Sequence, residues 1–128
     1  MMKTILRADR LRRPPAQGFS WVDRRFLHDF SAGLNRDAVY LYLFLTAVSD
    51  KEGLSYYKDS SIQARTGIEL QHIARARDEL LNRDLIAFTP PLYQVLSLPV
   101  RSVTPAVPLS LGDLMVTLAG KRKDGVAP

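Results

Sequence analysis

The stretch Ser55–Leu98 limits what this chain can become, because its periodicity changes repeatedly over a short distance. It reads SYYKDSSIQARTGIELQHIARARDELLNRDLIAFTPPLYQVLSL. Leu54–Tyr57 has the aromatic content of a short strand. Asp59 stands where a helix cap is expected, ahead of a helix Ser60–Thr66 that Gly67 ends. A second helix, Leu70–Arg83, places Ile73, Ala76 and Leu80 at spacings of three and four, which is one buried face. Leu85–Thr89 and Tyr93–Leu98 then read as strands around Pro90-Pro91-Leu92. Proline has no amide proton to give to a ladder, so the pair suits a turn or an exposed edge. The fold class expected is mainly α with a small β-hairpin, an α+β chain.

Upstream, Asn35 is a good N-cap and Asp37 suits the first turn of a helix running through Val48. Its apolar run AVYLYLFL, Ala38–Leu45, is too short to span a bilayer and suits a central helix or one with a face used by a partner. Ser20–Phe30 reads as a short helix, with Ser20 and Asp23 as a capping-box-like start. Val22, Phe26, Leu27 and Phe30 would share its apolar face, and Trp21, the only tryptophan, is expected to pack there. Pro14-Pro15 and Gly18 break the preceding segment. Prolines 99, 105 and 108 make an extended linker before a last short helix Leu111–Leu118 and the basic tail Lys121, Arg122, Lys123. Three parts follow: an arm 1–18, a domain 19–98 and a tail 99–128.

Charge is unevenly placed. The net charge is +5. Lys3, Arg7, Arg10, Arg12, Arg13, Arg24 and Arg25 face only Asp9 and Asp23 in residues 1–25, so the whole excess lies there. Such an arm suits an anionic partner; a solubilising tail is the alternative. With no cysteine, disulfide scaffolds and thiol nucleophiles are excluded. A reducing, cytoplasmic setting is expected, and no signal-peptide pattern follows Lys3 and Arg7. His28 and His72 lie in different predicted helices; Asp23 and His28 could share a helix face, but no nucleophile or metal spacing accompanies them. No catalytic activity, cofactor or metal is expected.

The segment Thr66-Gly67-Ile68-Glu69 through Arg83-Asp84-Leu85-Ile86 resembles the second half of winged helix-turn-helix domains. Gly67 matches the glycine that ends one helix, Ile68 the apolar plug of the turn, and Glu69 the cap of the recognition helix. Ile73, Ala76 and Leu80 match the buried face, and Leu85-Ile86 opens the wing. The resemblance covers Asn35–Leu98, half the chain. Glu69 departs from the usual Ser or Thr cap, and the turn between the wing strands is too short to enter a groove. LYLFLTAVSDKEGLSYY and PLYQVLSL also look like segments of small bacterial replication or mobile-element proteins.

The resemblance implies binding to double-stranded DNA, in transcription regulation or in replication of a mobile element. Leu70, Gln71, His72, Ala74, Arg75 and Asp78 would form the outward face of the second helix. Gln71 would then meet an adenine edge, Arg75 a guanine edge or phosphate, and His72 a phosphate. Lys58, Ser60, Ser61 and Arg65 would touch the backbone, as would Lys3, Arg7, Arg10, Arg12 and Arg13 of the arm. A homodimer through Ala38–Val48 or Leu111–Leu118 is also implied. Residues 59–98 sum to a charge of −1, which leaves a second possibility, a winged-helix interaction adaptor that meets protein instead of DNA.

Overall fold

In a computed structural model, residues 2–100 are described. The predicted helix Leu111–Leu118 and the basic tail lie outside them. The described residues up to Leu98 form one compact unit. Its helices pack with a small antiparallel sheet: α1 (Arg36–Val48), β1 (Leu54–Tyr56), α2 (Asp59–Thr66), α3 (Leu70–Asn82), β2 (Ile86–Thr89) and β3 (Leu92–Val95). The strand order is β1-β3-β2, so the last strand lies in the middle.

Helix α1 is the centre, as its composition suggested. Asn35 caps it by accepting the Asp37 amide at 3.0 Å. The Asn35 amide in turn donates to the Glu79 carboxylate of α3 at 2.9 Å. Ala38, Leu41, Tyr42 and Leu45 point inward, against a core that includes Ile62 of α2 and Ile73, Ala76 and Leu80 of α3. Burying a side chain of the size of Ile73 or Leu80 contributes about 1.5–3 kcal/mol.

The turn after α1 is built on Asp50, whose carboxylate accepts the amides of Glu52 and Leu54. Gly53 sits there with φ +86°, and a Cβ on it would lie 2.5 Å from the Val95 carbonyl oxygen. This close approach brings β1 against β3, with Leu54 opposite Gln94 and Tyr56 opposite Leu92. The hairpin closes over Pro90 and Pro91 alone, because Thr89 already pairs with Leu92. The strands are therefore Ile86–Thr89 and Leu92–Val95 instead of Leu85–Thr89 and Tyr93–Leu98. Leu92 enters the ladder because it has partners on both sides.

Several expectations for individual residues fail. Ser20 is not a helix cap: its hydroxyl donates to the Thr46 carbonyl near the end of α1. Asp23 caps the turn instead, accepting the Arg25 amide at 2.9 Å. Trp21 and Val22 thus precede the helical segment, and Trp21 is 73% exposed instead of buried. Phe26–Phe30 is a π turn, closed by the Ser31 amide on the Phe26 carbonyl. The wider turn sets Phe26 and Phe30 inward, Phe26 stacking on Tyr42 at 4.0 Å, and leaves Leu27 exposed. Finally, Asp59 is not the cap of α2. Lys58 holds that position, and Asp59 is drawn to Arg77 of α3.

Candidate nucleic-acid interface

The α2–α3 corner is held from below. Gly67 ends α2 at φ +79°, the left-handed region that glycine enters freely. The Thr66 hydroxyl donates to the Ile62 carbonyl at 2.7 Å and accepts the Ile68 amide at 3.1 Å. Ile68 is buried as the plug of the turn. Glu69 begins α3 through its backbone alone, its side chain making no capping bond. Its carboxylate is left to accept weakly from the Gln71 amide group at 3.4 Å.

A second clamp is Arg77. Its guanidinium donates to Asp59 Oδ1 at 2.8 Å and Oδ2 at 3.3 Å, and to the Tyr93 hydroxyl at 2.8 Å. It also lies 4.7 Å from the centre of the Phe88 ring. One side chain thereby ties α3 to the start of α2 and to both hairpin strands. Burial alone would lower the Arg77 pKa, but the bonds to Asp59 and Tyr93 outweigh it and raise it. Burial pushes the Tyr93 phenol up despite the nearby cation.

With Ile73, Ala76 and Leu80 turned inward, α3 presents Leu70, Gln71, Arg75 and Asp78 to solvent, with His72 and Ala74 half-buried. His72 Nδ1 lies 3.8 Å from Asp37 of α1, an ion pair only when the ring is protonated. His72 and Arg75 line a cleft of about 180 Å³ with Asn35, Asp37, Ala76 and Glu79. On and before α2, Lys58, Ser60, Ser61 and Arg65 are all exposed. Among the described residues, Lys58, Arg65 and Arg75 make no ion pair.

Lys3, Arg7, Arg10, Arg12 and Arg13 are likewise exposed. Arg7 grips Asp9 through two nitrogens, at 3.1 and 2.6 Å, which lowers the Asp9 pKa. Arg25 grips Asp23 in the same manner and lowers its pKa. Asp23 is thus engaged by Arg25. The free cations of residues 2–25 are Lys3, Arg10, Arg12, Arg13 and Arg24. Arg24 was not among the expected contacts; its position beside the arginine runs was the available signal. Among the described residues, 2–18 make only local hydrogen bonds, and Ser20 is the first to bond to the helical body.

No family model, curated protein or solved structure matches this chain. Among the described residues, no helix is long and apolar enough to cross a membrane.

Proposed function

We propose that the chain is a winged helix-turn-helix protein that binds double-stranded DNA, with α3 in the major groove and the N-terminal arm on the backbone. The observation that carries this reading is the division of α3. Its apolar stripe is buried, while Gln71 and Arg75 are exposed on the same helix, and Lys58 and Arg65 at α2 are exposed and make no ion pair among the described residues. The order α1-β1-α2-α3-β2-β3, with β3 between β1 and β2, agrees with the winged-helix reading. Gln71 and Arg75 are suited to base edges, Lys58, Ser60, Ser61 and Arg65 to phosphates. Transcription regulation and replication of a mobile element are the settings that suit such a module.

Phosphate neutralisation dominates most DNA affinity, and residues 59–98 carry a net −1. The free cations of residues 2–25 must then supply most of the attraction. The adaptor alternative would draw support from an apolar outward face on α3. That face carries Leu70 among Gln71, Arg75 and Asp78, which favours the polar partner.

The test is fluorescence anisotropy of labelled genomic duplexes with the full chain and with residues 19–128, across salt concentrations. Binding should fall steeply with salt and largely disappear on truncation. Retention by the truncated chain would return the electrostatics to the helices. No binding by either at low salt would overturn the DNA reading.

A further inference from the structure

An apolar groove opens on the side of the molecule formed by the N-terminal segment and α1. Val22, Phe26, Leu27, Leu34, Val39, Tyr40 and Leu43 line about 510 Å³, with Ser31 and Arg36. Phe26 and Leu34 form a buried floor, while Leu27, Tyr40 and Leu43 stand at the rim with 68%, 47% and 45% of their surfaces exposed. No lining residue belongs to α2, α3 or the sheet. The groove is therefore separate from the α2–α3 face assigned to DNA, and it meets the basic segment 2–25 only at Val22.

We infer that this groove docks an amphipathic helix of a partner protein whose apolar stripe is flanked by carboxylates. The apolar floor and raised rim fit a row of side chains at helical spacing. Charge selects among possible occupants. Among the described residues, Arg36 is the only charged one lining the groove, and it makes no ion pair with any of them. Arg24, likewise free, precedes Leu27 by three positions in the same helical segment. The nearby carboxylates already have partners: Asp23 is held by Arg25, Asp37 faces His72, and Asp29 of the Phe26–Phe30 turn is engaged as well. A second copy of the same face would bring another Arg36, and its carboxylates already have partners. A helix with glutamates beside its leucines supplies the missing charge and excludes basic competitors.

The experiment pans a displayed library of leucine-faced helices against the full-length protein. Flanking positions are randomised among Glu, Gln and Lys. Glu should be enriched, and a selected synthetic peptide should perturb the amide resonances of groove residues between Val22 and Leu43. Leu43→Glu should weaken that peptide at least about tenfold, or about 1.4 kcal/mol. Arg36→Glu should also weaken it, and panning that variant should switch the preference to Lys. Both side chains are exposed, and circular dichroism of the variants checks that the fold is kept. Three results would overturn the proposal. One is equal enrichment of Glu and Lys, or no enrichment. Another is a selected peptide indifferent to both substitutions. The third is a dimer in sedimentation equilibrium that Leu43→Glu dissolves, which would make the occupant a second copy.

Discussion

Arg77 concentrates more of the architecture than any other single side chain. It is 15% exposed and touches Asp59, Tyr93 and Phe88. Arg77→Ala would leave Asp59 without its cation and the buried Tyr93 hydroxyl without its donor. The expected loss is about 2 kcal/mol, read from the urea midpoint. It stays below the cost of breaking a fully buried pair because the Asp59 side chain is 39% exposed and can turn to water. Arg77→Lys should recover only part of it, since an ammonium cannot bridge both carboxylate oxygens and the hydroxyl with the same geometry. The sequence disclosed Asp59 as a helix-start residue and nothing of this partnership. An aspartate before a helix is read locally as a cap, whereas its bond to Arg77 spans eighteen positions. Trp21 departs from expectation for a related reason: it is expected on the apolar face of a helix starting at Ser20, but its place ahead of the Asp23 cap leaves it outside the packed face.

At the level of elements, Gly53 and Gly67, two of the three glycines with positive φ, differ in what surrounds them. Gly67 has open space where a Cβ would go, so Gly67→Ala costs only its backbone strain, about 1 kcal/mol. At Gly53 the same methyl would collide with the Val95 carbonyl. Gly53→Ala should cost at least about 3 kcal/mol by parting β1 from β3. Thermal melts of the two variants, side by side, test this order. Helices α1, α2 and α3 were legible almost to the residue, because periodicity and termination signals lie inside each segment. The sheet was not. The pairing of β1 with β3 joins residues far apart in the chain, and no local pattern records it. The same holds for the groove: Leu27, Tyr40 and Leu43 are apolar in the sequence, but only the packing of α1 and the π turn shows that they face water together.

For the molecule as a whole, two titrations set an upper pH limit. Burial raises the phenol pKa of both Tyr42 and Tyr93 above its ordinary value near 10. The unfolded chain ionises first as pH rises, so the folded state loses stability above about pH 10 and keeps it below. Urea midpoints measured from about pH 8 to pH 11 should fall at the alkaline end. Tyrosinate absorbance should show at least two phenols released only on unfolding. In the proposed complex, the charge distribution would divide labour: residues 1–25 hold the excess positive charge, and α3 would discriminate.

The hairpin tip has a further consequence for any duplex lying along α3. Between Thr89 and Leu92 the chain offers two prolines, which means two successive positions with neither an amide proton nor a charge. Phosphates next to that tip would find a surface that can touch but not hold them. Hydroxyl-radical cleavage of a bound duplex should therefore give a lopsided footprint, protected beside α2 and α3 and still cut beside the prolines. Replacing Pro90-Pro91 with Asn-Gly, which restores the amides and suits a two-residue hairpin, should extend the protection to that side.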